Sequence, residues 1–278
     1  MHWQTTRFQI DLSLPRVMGI VNVTPDSFSD GGQLVGAMAA VARCEQLLAE
    51  GADMLDIGAE STRPGSDPVS AAEELARLLP VLEPALKLGY PVSVDTNKPE
   101  VMAAALALGA DVINDIHALR SHGALDVIAG HPNCGVCLMH MNGTPDSMQA
   151  DPSYGDDVVL EVIRFLGARA QELEAHGVAA ERIVLDPGIG FGKSVEHNLS
   201  LLRRQRELLS LGKPLLLGWS RKSTLGAITS RDVAQRSAAS LAAALAAVQS
   251  GARIVRVHDV AATVDALRVW RAAGLGPG

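Results

Sequence analysis

Arg256 and His258 stand two residues apart in RIVRVHD, the run at 253–259, with valine between them. In a strand that spacing puts both side chains on one face. A guanidinium presents a fork of donors that matches phosphate oxygens, and an imidazole beside it adds another. The pair suits an anion; the structural alternative is an ion pair between Arg256 and Asp259. Asn22 ends another apolar run, RVMGIVNV at 16–23, and its amide oxygen is a hard ligand acceptable to Mg2+. The three residues together suit phosphate or diphosphate with its metal.

Asp95, Asn114 and Asp186 form a second set, each at or near the end of an apolar run. Buried carboxylates need partners. Two carboxylates and an amide around one pocket can accept hydrogen bonds from a flat heterocycle rich in N–H groups, such as an aminopyrimidine. Lys222 can donate to its ring carbonyl or nitrogen. The alternative is a set of caps and loop salt bridges. Cys134-Gly-Val-Cys137 spells C-x-x-C. Without a second half-site it is weak as a metal motif and reads as two small residues entering a strand.

These residues need elements to hold them. Eight short apolar runs recur: RVMGIVNV, DMLDIGA (53–59), YPVSVDT (90–96), DVINDI (111–116), GVCLMH (135–140), RIVLDPG (182–188), PLLLG (214–218) and RIVRVHD. Continuous apolar runs suit parallel strands buried on both faces. Helical patterns lie between them at 35–50, 71–88, 99–108, 122–129, 156–176, 195–211, 233–250 and 260–273, most ending at a glycine such as Gly51, Gly109 or Gly251. Eight strand–helix units predict a (β/α)8 barrel in one domain, 1–278, whose active site lies at the C-terminal strand ends. The other candidate, an open doubly wound sheet, usually carries a glycine fingerprint after its first strand; the first turn here reads NVTPDSFSDGG. The connections at 22–34, 59–70, 140–155 and 218–232 exceed the usual length and suit lids or binding loops.

Composition sets the outer limits. The chain has 278 residues, 47% hydrophobic and 20% charged, which is globular. No apolar run approaches the roughly 18 residues of a membrane span. MHWQTTRFQIDLS lacks the charged and apolar regions of a secretory signal. Three cysteines fit a reducing cytoplasm. The net charge of −7 disfavours nucleic acid but permits a small anion at a local basic site. A metal-dependent hydrolase on the same fold typically has a His-x-His pair after the first strand, which is missing here.

NVTPDSFSDGG, ESTRPG, SVDTNKPEVM, LDPGIGFGK, GWSRKS and RVHDV, in this order at these strand ends, resemble the dihydropteroate synthase family. The resemblance spans residues 15–270. It implies a transferase of folate biosynthesis, the target of sulfonamides, on a (β/α)8 barrel. The reaction implied joins 7,8-dihydropterin-6-ylmethyl diphosphate to 4-aminobenzoate, with Mg2+, giving 7,8-dihydropteroate and diphosphate. By the family pattern Asp95, Asn114, Asp186 and Lys222 hold the pterin and Met139 packs on its ring. Asn22 binds the metal, and Arg256, His258, Thr62 and Arg63 the diphosphate. Phe28, Pro64, Gly190, Phe191, Lys222 and Ser223 shape the aminobenzoate site, and Asp30 brings charge from the first loop. Asp95, Asp30, Lys222, Arg256 and His258 form the catalytic set. A cytoplasmic homodimer is expected. The alternatives are a pterin-binding methyl-transfer module, which needs no diphosphate site, and an inactive pterin-binding paralogue.

Overall fold

A computed structural model of the chain describes residues 1–23, 32–61, 68–143, 153–155 and 157–275. Strands β1 (His2–Gln4) and β2 (Gln9–Asp11) pair antiparallel. Eight parallel strands follow: β3 (Arg16–Asn22), β4 (Met54–Gly58), β5 (Val92–Asp95), β6 (Val112–Asp115), β7 (Gly135–Met139), β8 (Ile183–Asp186), β9 (Leu216–Leu217) and β10 (Ile254–Val257). Their order is β8-β7-β6-β5-β4-β3-β10-β9. A parallel bridge between Leu185 and Leu215 joins the two ends and closes the sheet into a barrel. Helices α1 (Gly32–Ala49), α2 (Ala71–Leu86), α3 (Pro99–Leu108), α4 (Ala124–Gly130), α5 (Val158–Ala175), α6 (Val195–Arg203), α7 (Ser223–Thr229), α8 (Ser237–Gln249) and α9 (Val260–Ala272) alternate with the strands, except that α7 and α8 both lie between β9 and β10. The fold is the expected (β/α)8 barrel, not the open sheet.

Continuous apolar runs become strands here because both faces are covered. Every residue of β4 and of β7 is buried. Outward residues such as Val17, Val21, Leu55, Ile57, Val92 and Val94 pack beneath the helices. Inward residues Met18, Met54, Val112, Cys137, Val184, Leu216 and Ile254 fill the lower barrel together with Trp3, Ile10 and Leu12. The β1–β2 hairpin therefore plugs the N-terminal end, and Trp3 Nε1 donates to the carbonyl of Arg182 at 2.9 Å. Two residues further along, four of these inward positions turn polar: Asp56 after Met54, Asn114 after Val112, Asp186 after Val184, Arg256 after Ile254. A period of two puts these side chains in one layer above the apolar one.

Several elements differ from the sequence reading. The N-terminal hairpin was not expected, because strands of three residues carry too little pattern. The helix expected over 195–211 ends at Arg203 and continues as a 3-10 segment, Gln205–Leu211. Arg204 leaves helical angles at the break, and its guanidinium pairs with Asp157, the N-cap of α5, and with Glu207. The helix expected over 233–250 is split likewise into Val233–Gln235 and α8. The connection at 218–232 contains α7, and α1 begins inside the first long loop. Where helix ends were marked by glycine, the backbone agrees: Gly109 follows α3 with φ of 101°, a left-handed conformation that favours glycine.

Candidate active site

The polar layer is organised around Asp56. Its Oδ2 accepts from Arg256 Nε at 2.5 Å and from Asn114 Nδ2 at 3.2 Å, while Oδ1 has no hydrogen-bond donor among the described residues. Arg256 also donates through Nη2 to Asp95 Oδ2 at 2.8 Å. One guanidinium thus bridges carboxylates from β4 and β5. Burial raises Asp95 to about 7; Arg256 opposes that shift and the charge of Asp56 adds to it. Asp259, the alternative partner for Arg256, instead pairs with Arg221 at 2.6 Å.

Beyond this network the barrel mouth opens into a pocket. Asp95, Asn114, Met139, Asp186, Phe191, Lys222 and Arg256 line it with Ile116, Ile189 and Gly218. Asp186 Oδ1 accepts the N–H of Gly188 at 2.7 Å, and burial raises its pKa. Lys222 lies with Nζ 4.0 Å from the centre of the Phe191 ring, a cation–π contact. Burial first, then the charge of Arg256, lowers Lys222 to about 8. Among the described residues its ammonium has no hydrogen-bonded acceptor. Gly190 fits beside it because a Cβ there would lie 3.1 Å from Lys222 Cδ. Lys222 follows Arg221, which takes φ of 59° and is fastened by Asp259 and by the Ser240 hydroxyl.

His258 and Asn22 stand at the rim. Ser220 Oγ accepts the backbone N–H of His258 at 3.1 Å and lies 2.9 Å from its Nδ1. The hydroxyl proton is then free to go to Nδ1, which leaves the ring proton on Nε2. Burial first, then Arg256 and Arg221, pushes His258 down to about 3. Of the two readings open for His258, cation or donor, the neutral N–H donor is the one its surroundings favour. Asn22 is exposed at the tip of β3, in register with Gly58. Among the described residues no group of three or more His, Cys, Asp or Glu is placed to hold a metal ion. A single hard oxygen at the rim fits an ion such as Mg2+ that retains waters and shares substrate phosphates.

Most of the sequence-derived residues converge. Asp95, Asn114, Met139, Asp186, Phe191, Lys222 and Arg256 line one pocket, Gly190 backs onto it, and Asn22 and His258 edge it. Ser223 is exposed at the start of α7. Phe28, Asp30, Thr62, Arg63 and Pro64 lie outside the described residues. Sequence reasoning missed Asp56. Its signal was present: a carboxylate inside an apolar strand, the same anomaly that marked Arg256. Cys134 and Cys137 are buried free thiols, and Cys134 Sγ accepts from Arg182 Nη2 at 3.1 Å.

A family model described as "Pterin binding enzyme" matches residues 18–258. The chain is 54% identical to the dihydropteroate synthase of Neisseria meningitidis serogroup C over 98% of each chain. Among solved structures it resembles the Xanthomonas albilineans dihydropteroate synthase with 4-aminobenzoic acid, at 50% identity over the whole of both chains and a TM-score of 0.92. It also resembles the Burkholderia cenocepacia dihydropteroate synthase complexed with 7,8-dihydropteroate, at 51% identity over 98% and 96% of the two chains and a TM-score of 0.88.

Proposed function

The chain belongs to the dihydropteroate synthase family of pterin-binding enzymes, and we propose that its barrel mouth carries out that family's transfer as follows. It joins 7,8-dihydropterin-6-ylmethyl diphosphate to 4-aminobenzoate, giving 7,8-dihydropteroate and diphosphate. The observation that carries this reading is the single pocket in which Asp95, Asn114 and Asp186 face Lys222 and Arg256.

Asp95, Asp186 and the Asn114 amide accept N–H groups of the pterin, Lys222 donates to it, and Met139 packs on the ring. The bond between the exocyclic carbon and the diphosphate oxygen breaks, and its electron pair leaves with the diphosphate. His258 Nε2, the remaining Arg256 donor Nη1, Thr62 and Arg63 stabilise the departing oxygens. Asn22 would hold Mg2+, which would supply charge neutralisation on the leaving group. The cation left on carbon is stabilised by Asp95 and Asp30. The aniline nitrogen attacks this carbon and afterwards gives up one proton, which leaves with the diphosphate. Phe28, Pro64, Gly190, Phe191 and Ser223 place the aminobenzoate. Water must be excluded while the cation exists, a task for the long loops.

We read residues 1–278 as one catalytic domain, working as a cytoplasmic homodimer. Among the described residues no helix is long and apolar enough to cross a membrane. The test is product formation from the two substrates with Mg2+. Dihydropteroate and diphosphate released in equal amounts support the reading. Pterin binding without product identifies an inactive binding protein and overturns it.

A further inference from the structure

Lys193 closes the stretch PGIGFGK and is only 3% exposed. No carboxylate among the described residues pairs with its ammonium. Instead Nζ lies 2.9 Å from His140 Nδ1, 3.2 Å from the His140 carbonyl, and 3.0 Å from the carbonyls of both Gly188 and Phe191. Two of these acceptors follow β7 and two belong to the loop after β8. From this geometry we propose that Lys193 is a positioning residue for 4-aminobenzoate: it fastens the 188–193 loop to the end of β7 and so fixes where Phe191 and Gly190 stand. The inference rests on the function proposed above.

The loop is fitted to that fastening. A Cβ on Gly188 (φ 70°) would meet the His140 carbonyl oxygen at 1.9 Å, and one on Gly192 (φ 62°) would meet that of Asn142 at 2.2 Å. Only glycine lets the two backbones lie this close. Tyr154 OH donates to the Gly192 carbonyl at 2.8 Å, and the N–H of Gly190 donates to Asn198 Oδ1 at 2.9 Å. Phe191 is thus held through its carbonyl by Lys193, while its ring carries the Lys222 ammonium. Burial lowers Lys193 to about 7, against its ordinary value of 10.5, with the charge of Asp186 opposing the shift. Four pterin contacts, Asp95, Asn114, Met139 and Asp186, stand on strands, so the device reaches the pterin only through Lys222 on the Phe191 ring and the Gly188 N–H on Asp186.

The test compares wild type with Lys193→Met and Lys193→Gln in the full chain, reading the KM for 4-aminobenzoate and, by calorimetry, the Kd for a non-reactive pterin. We expect KM to rise about tenfold while the pterin Kd stays within about twofold. An unchanged KM, or equal losses in both constants, overturns the proposal. Should both variants fail to fold, Tyr154→Phe removes one fastening with little change in volume and must show the same selective rise; a normal KM there overturns the proposal too. Absence of turnover in wild type counts against the function itself. Normal wild-type turnover with normal variants counts against Lys193 alone.

Discussion

Arg256 Nε and Asp56 Oδ2 lie 2.5 Å apart inside the barrel, on strands at opposite ends of the sequence. Asp56 is fully buried, so its charge has no recourse to water. The pair ties β10 to β4 across β3 and, through Asp95, to β5. It is the electrostatic centre of the pocket as well as part of its wall.

Breaking the pair should be costly. Arg256→Ala leaves Asp56 and Asp95 buried without their cation, a loss of about 3–5 kcal/mol by comparison with other buried pairs. Urea denaturation measures this, and turnover should fall with it. A variant with wild-type stability and turnover would refute both the structural and the diphosphate roles of Arg256.

Asp186→Ala should abolish pterin binding, because the carboxylate lines the pocket with its backbone contact confined to Oδ1. Titration calorimetry with a pterin reads the affinity directly. Retained affinity would remove Asp186 from the pocket model.

The pocket should bind pterin over a limited pH range. Asp95 accepts best as a carboxylate, and burial holds it at about 7; Lys222 donates best as an ammonium, and burial holds it at about 8. Affinity is expected to fall below the first value and above the second. The unliganded fold has its own signature. Folded Asp95 keeps its proton up to about 7 whereas the unfolded group loses it near 3.8, so stability declines as pH rises across that window. Asp95→Asn should flatten the decline, and thermal unfolding across the window checks it.

Asp30→Ala tests the first loop. In the proposed mechanism Asp30 serves the forming cation and not the pterin, so kcat should drop by about 10-fold or more with pterin affinity nearly unchanged. Steady-state kinetics beside a binding titration separate the two constants. A normal kcat would remove Asp30 from the mechanism.

The barrel was legible because parallel strands buried on both faces leave continuous apolar runs, and because helix ends at Gly51, Gly109 and Gly251 take the left-handed conformations glycine permits. The candidate site was legible at several polar residues that interrupt or end such a run, as at Asp95, Asn114, Asp186 and Arg256. Asp56 escaped because its importance lies in a partner 200 residues away. Lys193 escaped for a related reason: a lysine ending a glycine-rich loop looks solvated, and only the close approach of the 140–142 backbone buries it. The β1–β2 hairpin escaped because its stability comes from Trp3, Ile10 and Leu12 entering a barrel that neither short strand announces.

The most direct test of the account is a crystal structure of this protein with a pterin bound. The ring should lie in the pocket between β5, β6 and β8, with its N–H groups on Asp95, Asn114 and Asp186 and an acceptor on Lys222. A ring placed elsewhere, or one bound without contact to Asp186 and Lys222, would contradict it.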